Sequence, residues 1–196
     1  MGKTYDMVYI ALFAVLIAIC AWISIPTVIP FTMQTFAIFL TVGVLGGRKG
    51  TAAILIYILL GLAGIPVFSG FRGGIGVLFG NTGGYIWGFL FAALMMWGME
   101  RLGGKKPWVL ALSMLFGMVV YNAFGTGWFL ILYAKNSGSI GLMAVLGWCV
   151  FPFLIPDIIK ISLAWVLSKR LRKSLQWESG RQQIKSIDRK RMEKNG

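Results

Sequence analysis

The sequence predicts an all-α membrane protein of six transmembrane helices, with both termini on the cytoplasmic side. Three observations carry that prediction: long stretches without charge, their punctuation by proline and glycine, and the alternation of Lys and Arg between successive connections. Of the 196 residues, 58% are hydrophobic and 13% charged, against about 45–50% and 25% in a soluble domain. No charged residue occurs in 7–47, 50–71, 73–99, 107–134 or 136–156. A helix crosses the hydrocarbon core with ~20 mostly apolar residues, so several such runs in one small chain indicate a polytopic protein.

The first helix is expected over 6–25. Its run "MVYIALFAVLIAICAWISI" exceeds the roughly 7–15 residues of a secretory signal core and lacks a small-x-small cleavage site, so it is expected to be retained. Pro26 and Pro30 end it, because proline has no N–H to donate. The second helix, 33–47, stops at the tight turn "GGRKG" (46–50), and the third covers 50–65. A glycine-rich connection over 66–82 follows. Its "GGIGVLFG" (73–80) has neither the spacing nor the βαβ context of a dinucleotide loop and reads as a flexible or closely packed connection. The fourth helix is expected over 83–102, the fifth over 108–134 after "GGKKP", and the sixth over 152–172. The apolar segment 138–151 is too short to span; it either inserts partly or extends the sixth helix.

Orientation follows from the cations. With the N-terminus inside, the inner segments hold Lys3, Arg48, Lys49, Arg101, Lys105, Lys106 and the tail, and the outer loops only Arg72 and Lys135. The positive-inside rule then selects N-in and C-in for an even number of spans. The chain divides into a transmembrane domain, 1–172, and a basic cytoplasmic tail, 173–196. From 169 to the end there are ten Lys or Arg and three acids. No base-reading motif accompanies that charge, so its expected partner is anionic membrane lipid and not nucleic acid.

Much catalytic chemistry is missing. There is no histidine, and Cys20 and Cys149 lie far apart in apolar surroundings without a CxxC, so neither a metal site nor a disulfide framework is expected and both read as small buried hydrophobes. No Walker A loop, HExxH, GxSxG or cluster of acids is present. The protein is therefore not expected to be an enzyme, and uphill transport would draw on ATP hydrolysis by another subunit.

The polar residues converge at the outward end. "PFTMQT" (30–35) supplies Thr32, Gln34 and Thr35; "FSGFRGGIGVLFGNTGGY" (68–85) supplies Arg72, Asn81, Thr82 and Tyr85; "PDIIK" (156–160) supplies Asp157 and Lys160. Asp157 and Lys160, spaced i, i+3, share one face of a helix. Each charge opposes insertion by about 2.5–3.5 kcal/mol at a helix centre, and intramembrane ionisable residues commonly face a cavity or a partner. They read either as an ion pair that fixes packing or as a polar site, with Phe31, Phe68, Phe71, Tyr85 and Tyr121 as candidate apolar walls. On the first helix, Ala11, Ala14, Ala18 and Ala21 line one face. Small residues permit close helix approach, either within the chain or with a docking partner.

"PFTMQT", the glycine-rich loop ending in "NTGGY", and "PDIIK" together resemble the biotin-specific substrate-binding (S) component of energy-coupling factor transporters, the BioY family. The resemblance runs from about residue 5 to 172. It implies an S-component-like bundle in a prokaryotic cell membrane that captures biotin outside and passes it inward, docked on a transmembrane coupling protein and two cytosolic ATPase subunits. It implies no cofactor; biotin is the transported substrate. The family's ligand residues fall on Gln34, Asn81, Tyr85, Asp157 and Lys160, and its AxxxA contact with the coupling protein on Ala14 and Ala18. Asn81 stands where the family pattern often has a proline before "TGGY". Biotin's ureido ring presents two N–H donors and a carbonyl acceptor, which Asp157 and Lys160 complement. The alternatives are an S component for another vitamin, a membrane enzyme using Asp157 as base, and a structural subunit without ligand.

Overall fold

The computed structural model describes residues 3–26, 29–137 and 142–195, with side chains described for 4–26, 29–135, 143–148 and 150–174. Six long helices carry the fold: α1 (Lys3–Trp22), α2 (Gln34–Leu45), α3 (Gly47–Leu62), α5 (Gly83–Gly103), α6 (Pro107–Ser137) and α8 (Phe151–Asn195). Two short ones, α4 (Ile75–Leu78) and α7 (Leu142–Cys149), sit in the connections. The expected helices therefore all form, within a few residues of their predicted ends, and α8 runs on through the basic segment. The segment 138–151 resolves into α7 followed by the start of α8, apart from 138–141, which lie outside the described residues.

α2 occupies the centre, packed by α1, α3, α5 and α8. Ten of its twelve residues are buried, as expected of a helix that is apolar on every side. Its approach to α8 depends on Gly43, where a Cβ would collide with the Ser168 side chain. Gly46 then turns the chain sharply into α3 with φ +81, a left-handed conformation that L side chains rarely adopt. These connections shorten α2 and α3. Among the described residues, three helices are long and apolar enough to cross a membrane by length and composition: Thr4–Trp22, Pro107–Lys135 and Phe151–Ser174.

After α1 the chain forms a small hairpin unforeseen in the sequence. β1 (Ser24–Ile25) pairs antiparallel with β2 (Phe31–Thr32), Ser24 opposite Thr32. Pro26 follows β1 directly and Pro30 precedes β2 directly, and residues 27–28 lie outside the described residues. The ladder folds back over the N-terminal end of α2, with Met33 N donating to Ile23 O at 3.0 Å.

The glycine-rich connection is closely packed. Phe68 is buried with its ring edge-on to Tyr57 at 5.5 Å. Phe68 N donates to Arg72 O, and Gly74 N to Gly61 O. From α1, Trp22 donates its indole N–H to Pro66 O at 2.8 Å and stacks on Phe71 at 5.0 Å. Cys20 is a buried free thiol; the Cys149 side chain lies outside the described residues.

Candidate functional site

Helix lengths create the hollow. α2 rises about 18 Å from Gln34 to Gly46, whereas α5 rises about 25 Å from Gly83 to Glu100, at ~1.5 Å per residue. Their far ends are level, because Gly47 N donates to the Glu100 carboxylate. The deficit therefore falls at the hairpin end. There a cavity of about 70 Å³ is lined by β2, the start of α2, the glycine-rich connection, α5, α6 and α8.

Asp157 and Lys160 stand at its wall, only 4% and 6% exposed. α8 begins with Phe151 and keeps Pro156 inside it, and its next turn presents the pair at i, i+3. Lys160 Nζ lies 3.0 Å from Asp157 Oδ1. It also donates to the Thr32 carbonyl at 2.8 Å and sits 3.8 Å from the centroid of the Phe31 ring. That ring stacks on Phe153 at 5.8 Å. The second carboxylate oxygen, Asp157 Oδ2, accepts from Tyr121 OH. Two opposite charges, a phenol, a backbone carbonyl and an aromatic face thus compensate one another, which offsets the desolvation of burying them.

Gln34 is different. Its backbone N–H donates to Thr32 Oγ1 at 3.2 Å. Gln34 lines the cavity, and its side-chain Nε2 is buried with no hydrogen-bond partner among the described residues. A buried donor without an acceptor carries a penalty of about 1–3 kcal/mol, and such groups in native structures usually have a reason.

Of the residues singled out in the sequence, Gln34, Tyr85, Asp157 and Lys160 line one cavity. Tyr85 OH lies 3.2 Å from Thr126 Oγ1, and its ring meets Tyr121 edge-on at 6.5 Å. Asn81 is not among them. The turn closed by Gly83 N to Gly80 O leaves Asn81 exposed, and its neighbour Thr82 lines the cavity instead. Ala14 and Ala18, 1% and 5% exposed, are buried where α1 packs on α2 and α3. Their small size permits close packing within the chain. Among the roles that escaped the sequence, Asn122 and Phe153 line the cavity, and Tyr121, expected only as a wall, grips Asp157. The dipeptide Tyr121–Asn122 inside a charge-free run was the available signal.

Among the described residues no group of three or more His, Cys, Asp or Glu could hold a metal ion. The arrangement offers one carboxylate, one ammonium, one amide donor and aromatic walls: a set for binding a small polar ring.

Residues 1–177 match the BioY family. The chain belongs to that family. It is 37% identical over 172 residues to the biotin transporter BioY of Thermotoga maritima, covering 86% of this chain and 96% of that protein. It is 39% identical over 171 residues to the probable biotin transporter BioY of Pyrococcus horikoshii, covering 87% and 98%. Among solved structures it resembles the S-component for biotin from an ECF-type ABC transporter, with a TM-score of 0.76 and 26% identity over 88% of this chain and 95% of that one. The family match thus spans every element that lines the cavity.

Proposed function

We propose that the chain is the substrate-binding subunit of an energy-coupling factor transporter and takes up biotin. It is a transport component and not an enzyme, a multi-pass protein of the plasma membrane. The observation that carries the reading is that Gln34, whose side-chain nitrogen has no hydrogen-bond partner among the described residues, and the buried Asp157–Lys160 pair line one aromatic-walled cavity. Biotin supplies what that cavity lacks. Its ureido oxygen is an acceptor for Gln34 Nε2, its ureido N–H groups are donors to spare lone pairs of Asp157, and its thioether ring is apolar enough for Phe31, Phe153 and Tyr121. Arg72, exposed at the rim with Nε donating to Ser69 O, is placed for the carboxylate tail.

Six spans with N-in and C-in topology fit the clustering of cations at the end away from this cavity, which then opens outward. In that frame a transmembrane coupling protein and two ATPase subunits would provide energy. The buried alanines leave Val15 and Ile19, exposed on α1, as the face a coupling protein would meet. The boundary between the membrane domain and the basic tail is proposed near residue 173, where the apolar part of α8 ends.

Calorimetric titration of biotin into the purified protein in detergent tests the reading. Tight binding, with riboflavin and thiamine unable to compete, is expected. A folded protein that binds no biotin would reject it.

A further inference from the structure

At the opposite end of the bundle a second cavity, of about 460 Å³, opens between the starts of α1, α3 and α6, the end of α5 and the last apolar turns of α8. It lies about 14 Å along α8 from the aspartate–lysine pair, at ~1.5 Å per residue from Lys160 to Lys169. Five cations line it against two carboxylates. Both carboxylates are already engaged. Asp6 pairs with Lys49 at 2.6 Å, and Glu100 accepts from Gly47 N and lies 3.8 Å from Arg172. Lys105, Lys169 and Lys173 also line the cavity, and among the described residues none of them has a carboxylate partner. Three like charges held around one concavity repel each other and attract an anion.

The depth of the cavity identifies the anion. Lys169 Nζ lies 4.2 Å from the Trp165 ring centroid, and Trp165 donates its indole N–H to Pro107 O at 2.9 Å. Near the end of α5, the Arg101 guanidinium lies 4.6 Å from the Trp97 ring centroid. Tryptophans paired with cations at the ends of apolar helices mark the headgroup level of a bilayer. The cavity also has an apolar side, with Val44, Leu45 and Leu110 among its lining. A free phosphate gains nothing from that side, whereas the glycerol and first methylenes of a lipid do. We infer that this cavity binds the phosphodiester headgroup of an anionic phospholipid, with Lys105, Lys169 and Lys173 as its donors. Only the choice of leaflet rests on the topology proposed above; the positive-inside rule makes it the cytoplasmic one.

The test is native mass spectrometry of the full chain in detergent, titrated with phosphatidylglycerol or with phosphatidylcholine of the same acyl chains. The wild type is expected to retain phosphatidylglycerol at least tenfold better. Lys105→Gln/Lys169→Gln/Lys173→Gln should lose that preference. Arg48→Gln/Arg101→Gln/Lys106→Gln, which removes the same charge from exposed positions outside the cavity lining, should keep it. Equal loss in both variants would assign the attraction to general surface charge and overturn the site. Displacement of the lipid by inorganic phosphate at comparable concentration would make the occupant a free anion and overturn the lipid assignment. Equal retention of the two lipids by the wild type would overturn the inference without any variant, so misfolding of a triple mutant does not protect it. Biotin titrated into the same samples separates this outcome from failure of the transport reading, which would remove biotin binding from the wild type and leave lipid preference intact.

Discussion

Removing the charged pair one partner at a time, and then both together, separates its part in folding from its part in binding. Lys160→Met keeps the length of the side chain but leaves a 4%-exposed carboxylate with Tyr121 as its remaining partner and strands the Thr32 carbonyl. Asp157→Asn leaves a buried ammonium beside a neutral amide. Breaking a buried pair at one end costs about 3–5 kcal/mol, whereas replacing both ends is often close to neutral. For a chain of this size, 1 kcal/mol corresponds to roughly 2–4 °C in Tm. Each single variant should therefore melt about 6–20 °C below the wild type, and Asp157→Asn/Lys160→Met should recover most of that loss.

Binding should behave otherwise. The double variant removes the carboxylate acceptor, and a hydrogen bond to a charged group contributes about 1.5–3 kcal/mol. At ~1.4 kcal/mol per decade, its Kd for biotin should rise at least tenfold. Thermal melting in detergent and calorimetry on the same preparations read the two effects. A double variant as unstable as the sum of the singles would refute the compensation argument. One that binds biotin at wild-type affinity would return the pair to a purely structural role.

Other expectations follow from single contacts. Gln34→Leu removes a buried donor that has no partner among the described residues, so Tm should hold or rise slightly while the Kd for biotin rises about tenfold, the worth of one neutral hydrogen bond of ~1.5 kcal/mol; a large loss of Tm would show that the amide is satisfied within the fold. Trp22→Ala deletes the hydrogen bond to Pro66 O and the stack on Phe71, so limited proteolysis within 66–74 should accelerate severalfold without biotin and slow again when biotin is added. Unchanged cleavage would mean that α1 does not hold this connection down. Ala18→Arg forces a long cation into a buried position on α1 and should abolish monodisperse protein on size exclusion, whereas Val15→Arg on the exposed face should leave biotin binding intact and impair uptake.

How far the sequence reached depends on the range of each interaction. Charge-free runs, prolines and glycines act locally, so the long helices were legible to within a few residues: α1 ends at Trp22, shortly before Pro26, and Gly46 separates α2 from α3. The convergence of polar residues was legible for a similar reason. Two charges in "PDIIK" have no place on a lipid-facing helix, and Gln34, Tyr85, Asp157 and Lys160 do line one cavity.

What sequence alone could not decide was direction and partnership. Whether Asn81 or Thr82 turns inward depends on the turn before α5. Whether the alanine stripe faces a partner or the chain's own α2 and α3 depends on how the helices are arranged, since small residues suit both. That Tyr121 would hold Asp157 across 36 residues, and Lys160 reach the Thr32 carbonyl across 128, follows from packing alone. Composition and periodicity are properties of a segment and survive in the unfolded chain. A buried hydrogen bond between distant segments exists only once the bundle has closed, and so the tertiary structure decides it.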